Sequence, residues 1–113
     1  DIYVVGDATL AAPMPKSGFS ANAQAKVAAA AIVNALAGRP PAEPAFANTC
    51  YSLIAPDYGI SVAHTYLLKD GKIAEASGGV SPADADDAFR KLEAEYGESW
   101  YKAIALDAWG TRA

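Results

Sequence analysis

Across Pro40, Pro41 and Pro44 the apolar residues of this chain change period. Before that crossing Val27, Ala28, Ala31, Ile32, Ala35 and Leu36 recur at helical spacing, which marks a helix with one apolar stripe. After it, from Asn48 onward, apolar and polar residues alternate, which marks half-buried strands. The prolines prevent one regular element from running through, because each fixes its own φ and lacks a backbone donor. An α+β chain is expected, with a long helix first and a sheet after it.

Particular elements follow from local signals. Ile2-Tyr3-Val4-Val5 is a continuous apolar run ending at Gly6-Asp7, the pattern of a buried parallel strand. Pro13 and Pro15 keep the next loop out of a helix until about Ser17. Ser17 or Ser20 can then cap a helix running to about Ala37, with Gly38 as its terminating glycine. Beyond the crossing, Asn48 to Ala55, Ile60 to Lys69 and Lys72 to Ala76 read as an antiparallel meander. Pro56 to Gly59 forms the first turn and Asp70-Gly71 a type I′ hairpin. Ser77-Gly78-Gly79 ends the third strand. Ser81-Pro82 carries the signature of a helix start. Two helices are expected after it, one ending at Gly97 and a short one over Ser99 to Ala108.

With 113 residues the chain is at most one ordinary domain. A hydrophobic fraction of 52% supports a core, although much of it is alanine. The net charge of −4 argues against a nucleic-acid-binding face. No apolar run approaches the roughly 18 residues of a membrane span.

Several residues could carry chemistry. Asp7 follows an apolar run where open α/β sheets bind ligands, and its carboxylate could accept a hydrogen bond from a sugar or ribityl hydroxyl. Capping the following turn is the commoner role of a Gly-Asp pair. Lys16, Ser17 and Gly18 stand at a helix N-terminus, whose open N–H groups and positive dipole end attract negative charge. A capped helix beside a solvated lysine is the plainer alternative. Cys50 is the single cysteine, so any disulfide it forms needs a partner from elsewhere; a buried, inert thiol is the commoner fate. His64, the only histidine, shares its strand face with apolar residues and reads as structural, with no metal-ligand companions nearby. The acidic run from Asp84 through Glu98 reads as a solvated helix face that could also steer a basic partner. Trp100, Tyr101 and Trp109 suit core packing, or stacking on a ring or an interface.

Together, "VGDATLAAPMPKSGFSANAQAKV", "NTCYSLIAPDYGISVAHTY" and "GGVSPADA" resemble the C-terminal part of the flavoprotein subunit of flavocytochrome c sulfide dehydrogenase. The resemblance covers nearly the whole chain, in order. It implies that residues 1–38 are the end of a Rossmann-type FAD-binding domain, 39–47 a linker, and 48–113 a C-terminal flavin-binding and interface domain. The dinucleotide fingerprint and the covalent flavin attachment of that family are not in this sequence, so a fragment of a longer flavoprotein is expected. Asp7 would hold the FAD ribityl chain. Lys16, Ser17 and Gly18 would bring the helix N-terminus to the flavin pyrimidine end. Cys50 would be half of a redox disulfide, and Trp100 an aromatic near the ring.

For the intact subunit the resemblance implies that hydrosulfide attacks that disulfide and the released thiolate passes an electron pair to the flavin. Single electrons then leave to haem c on a c-type cytochrome subunit, in the periplasm. The other cysteine and the rest of the flavoprotein chain would come from outside this sequence, so the isolated chain is expected to be inactive. Two other readings stand beside this one: a non-catalytic cytochrome-docking module with an inert Cys50, and part of a sulfide:quinone reductase-like oxidoreductase. No amphipathic membrane helix marks this C-terminus, which disfavours the last. Apolar faces in residues 1–38 should be under-buried unless chains self-associate.

Overall fold

A computed structural model describes residues 2–110. It is an α+β fold: a single 3-10 turn at Gly6–Ala8, helix α1 (Gly18–Leu36), strands β1 (Ala45–Ala55), β2 (Tyr58–Lys69) and β3 (Lys72–Val80), and helix α2 (Asp87–Trp109). The strands form one sheet in the order β1-β2-β3. Their two-residue turns make it an antiparallel meander. The chain divides into two compact units. One runs up to Thr49 and includes Ala63–Gly78; the other comprises Cys50–Val62 and the residues from Gly79 onward.

In the first unit the limits of α1 follow from its end residues. Ser17 is the N-cap, its hydroxyl accepting a hydrogen bond from the Ser20 N–H. At the other end Gly38 takes φ +64°. The N–H of Gly38 bonds the Ala35 carbonyl at 3.1 Å and that of Arg39 the Asn34 carbonyl at 2.8 Å, the paired bonds of a Schellman termination. The β2–β3 hairpin has Asp70 at φ 51° and Gly71 at φ 73°, the two positive values of a type I′ turn. Beyond it β3 continues through Gly78 to Val80 instead of ending near Ala76. A side chain at Gly78 would meet the His64 ring, with a built Cβ only 2.6 Å from Cγ. The glycine therefore makes room for the histidine.

Ile2–Val5 do not form the expected strand. They are exposed, Ile2 to 93%, and among the described residues no sheet strand pairs with them. A strand exists only where a neighbour completes its ladder.

In the second unit α2 is one helix where two were expected. Gly97 does not end it, because Gly97 is where the helix meets β1: a Cβ there would lie 3.3 Å from Tyr51 Cβ and from Leu53 Cδ2. On β2, Gly59 is the reciprocal contact, buried against the α2 backbone at Glu93 and Ala94. Nor does α2 start at Ser81. Its cap is Asp86, which accepts from the Phe89 N–H at 2.8 Å. The Ser81 hydroxyl is engaged elsewhere, 2.6 and 2.7 Å from the two oxygens of Glu93.

Glu93 is also a correction to the solvated acidic face. It is 5% exposed, accepts from Ser61 Oγ at 2.6 Å, and lies 3.5 Å from Arg90 Nη1. Arg90 is 3% exposed. It donates through Nη2 to the Pro82 carbonyl, and its guanidinium carbon sits 5.2 Å from the centre of the Tyr58 ring. Buried charges occur where they are paired and hydrogen-bonded. This cluster joins α2 to β2 and to the segment after β3.

Candidate functional site

Gly6 begins the first site's loop, and its φ of +70° lies in the region that glycine enters without a Cβ penalty. Its N–H donates to Gln24 Oε1 at 2.7 Å, while its carbonyl accepts from the Thr9 N–H and hydroxyl, both at 3.0 Å. The Gln24 amide reaches Met14 Sδ at 3.8 Å. One helix side chain thus pins both the Gly6-Asp7 turn and the proline loop.

On that frame Asp7 is exposed, and its carboxylate makes no hydrogen bond or ion pair among the described residues. Lys16 donates from Nζ to the Asp7 carbonyl oxygen at 2.6 Å. The helix N-terminus that follows is fixed from beneath. Ser17 Oγ donates to Asn48 Oδ1 at 2.5 Å, and Ser20 Oγ donates to the same oxygen at 3.1 Å. At Gly18, the first residue of α1, an added Cβ would meet nothing beyond its own turn of the helix.

Asp7, Lys16 and Ser17 line one concavity of about 150 Å³, with Gly6, Ser20 and Gln24. Sites that enclose a whole small ligand run from about 300 Å³ upward. This one can grip only part of a larger ligand. What it offers is an acceptor for a hydroxyl and an open helix N-terminus for developing negative charge.

In the second unit Cys50 is an exposed residue of β1. The Trp100 ring lies against Tyr51, centroids 6.2 Å apart. Alternation along a strand sends neighbours to opposite faces, so Trp100 packs on the face of β1 opposite to Cys50. The structure does not bring this pair together. Trp100 instead lines a cavity of about 430 Å³ with Tyr51, Leu53, Gly97 and Tyr101, wide enough for a planar ring.

Gln24 and Asn48 were not anticipated from the sequence. Gln24 had a signal: Ser17, Ser20 and Gln24 form a polar stripe at three- and four-residue spacing in an alanine-rich helix. Asn48 had none, because its partners lie 31 and 28 residues away. His64 lies beside Tyr66 and 3.7 Å from Glu75, and no cluster of metal-ligating side chains occurs among the described residues.

Residues 42–109 match the family model described as flavocytochrome c sulphide dehydrogenase, flavin-binding. Cys50 and Trp100 lie within the matched stretch; Asp7, Lys16, Ser17 and Gly18 lie before it.

Proposed function

Because this chain belongs to the flavin-binding family of flavocytochrome c sulphide dehydrogenase, we propose that it works in a flavoprotein that oxidises sulfide and passes the electrons to a c-type cytochrome. The observation that carries the proposal is an exposed Cys50 within the matched residues. FAD, when bound, would accept an electron pair and release it one electron at a time.

The remaining work would fall to side chains. Cys50, joined to a cysteine outside this sequence, offers a sulfur for thiol–disulfide exchange. Hydrosulfide attacks one sulfur of that disulfide: a new S–S bond forms, the old one breaks, and the other cysteine leaves as a thiolate carrying the electron pair. The exposure of Cys50 gives the anion access.

The Asp7 carboxylate would accept a hydrogen bond from a ribityl hydroxyl. The N–H groups at Ser17-Gly18 and the Lys16 charge would favour negative charge at the pyrimidine edge. Trp100 would present an aromatic surface on the α2 side of β1. A c-type cytochrome subunit carrying haem c is the proposed electron acceptor, and the periplasm the proposed site of action. The pyrophosphate grip would come from other parts of a flavoprotein, since this sequence holds no Gly-x-Gly-x-x-Gly run.

The test is Cys50→Ser in the flavin-loaded gene product, followed by rapid-mixing absorbance after sulfide addition. The expected result is loss of sulfide-dependent flavin bleaching, with reduction by dithionite retained. Bleaching at the parent rate would remove Cys50 from the mechanism.

A further inference from the structure

We propose that Asn48 is a positioning residue: a buried carboxamide that holds the first turn of α1 in its flavin-facing orientation. The proposal rests on the reading of that helix N-terminus given above. Asn48 is 2% exposed, as is Ser20. Its Oδ1 accepts two hydroxyl donors, from the capping Ser17 and from Ser20 one turn on.

The geometry divides the polar groups of this turn into two sets. The Ser17 hydroxyl is spent inward, donating to Asn48 and accepting from the Ser20 N–H. The Ser17 carbonyl accepts from the Ala21 N–H at 2.9 Å. What stays open is the outer side at Gly18, where an added Cβ would meet nothing beyond its own turn of the helix. An N-cap hydroxyl left to rotate could itself turn outward and compete for a ligand's acceptor atoms. Asn48 removes that freedom, because a carboxamide oxygen accepts and cannot donate. The helix N-terminus is thus preorganised before anything binds, the condition under which a dipole stabilises charge without reorganising.

Alanine at 48 would leave both hydroxyls without their buried acceptor. Aspartate at 48 is nearly isosteric and keeps an acceptor for both hydroxyls, while losing the amide's donors and burying a charge. Asn34, at the far end of α1, accepts from Arg39 Nε at 3.1 Å on the surface. It serves as a control for general loosening of the helix.

The experiment uses the full gene product with and without added FAD. Amide hydrogen exchange reads the clasp, and the potential of the bound flavin reads the positioning. In Asn48→Ala the Ser20 and Ala21 amides are expected to exchange at least tenfold faster. The two-electron flavin equilibrium should move about tenfold towards the oxidised form, a fall of about 30 mV. Asn48→Asp, which keeps the acceptor, should exchange more slowly than Asn48→Ala, and Asn34→Ala should alter neither readout. If Asn48→Ala leaves Ser20 and Ala21 exchange within twofold of the parent, there is no clasp and the proposal fails. If exchange rises but the flavin equilibrium stays within twofold, Asn48 only supports the fold and its positioning role fails. Neither result touches the sulfide reaction, which the Cys50→Ser measurement decides separately.

Discussion

Replacing Gly59 by alanine puts the seat of α2 to a direct test. A Cβ built on Gly59 lies 2.7 Å from the Glu93 carbonyl carbon and 2.9 Å from Ala94 Cα. Carbon atoms rest about 3.5–4.0 Å apart, so β2 and α2 would have to separate by about 1 Å. The atoms met are helix backbone, and no flexible side chain can swing aside. The same displacement would stretch the Ser61 Oγ contact with Glu93 from 2.6 Å to beyond hydrogen-bond range.

Overpacking of this kind costs about 1–3 kcal/mol. Loosening the bonds of a buried carboxylate adds about 1–3 kcal/mol. Against this, alanine recovers about 0.5–1 kcal/mol over glycine in a strand. The expected net loss is about 3 kcal/mol, combining these ranges. Urea unfolding followed by tryptophan fluorescence is the assay, since Trp100 and Trp109 both lie on α2. For a slope of about 1.5 kcal/mol per molar the midpoint should fall by about 2 M. A midpoint unchanged, or raised by the usual glycine-to-alanine gain, would refute the close approach of helix and strand.

Glu93→Ala should destabilise by about 3–5 kcal/mol, because it strands a buried guanidinium; Glu93→Gln, which keeps acceptors for Ser61 and Ser81, should cost less in the same unfolding assay. Gly71→Val should lower stability by about 1–2 kcal/mol by forcing a β-branched residue to positive φ, and thermal unfolding followed by circular dichroism will show it. The chain on its own should retain no stoichiometric FAD after gel filtration, and a yellow eluate with a one-to-one flavin spectrum would contradict that. Exposed Leu10, Leu36 and Trp109 should make the isolated chain self-associate; multi-angle light scattering that gives the monomer mass at all concentrations would count against it.

Much of this fold could be read from short-range chemistry. Ser17 and Gly38 bounded α1, Asp70-Gly71 fixed a hairpin, and alternation marked the strands, because each signal acts within a few residues of itself. Errors arose where a distant partner overrode a local sign. Gly97 reads as a helix end until Tyr51 and Leu53 approach it, and Ser81 reads as a cap until Glu93 takes its hydroxyl. Ile2–Val5 has the composition of a strand, but composition supplies no ladder. Of the candidate site, Asp7, Lys16 and Ser17 were legible and do line one concavity. Of the groups that hold them, Gln24 showed only as one member of a polar stripe, and Asn48 gave no local signal, since its partners lie far along the chain.

That asymmetry has a consequence for how this molecule tolerates change. In the first unit the buried apolar residues are Met14 and Tyr66, while Ser20, Gln24 and Asn48 are buried polar ones. At its fully buried positions hydrogen bonds of fixed direction thus outnumber apolar contacts, which tolerate repacking. A buried amide that loses its partner costs the full desolvation of the group left behind, and here the groups left behind are the Gly6 N–H and the Ser17 hydroxyl. Damage at Gln24 or Asn48 is thus transmitted straight to Asp7 and to the helix N-terminus. Substitutions at Ile32 or Leu36, exposed on α1, should leave both in place. In this unit the residues that hold the candidate site are the same ones that hold the fold.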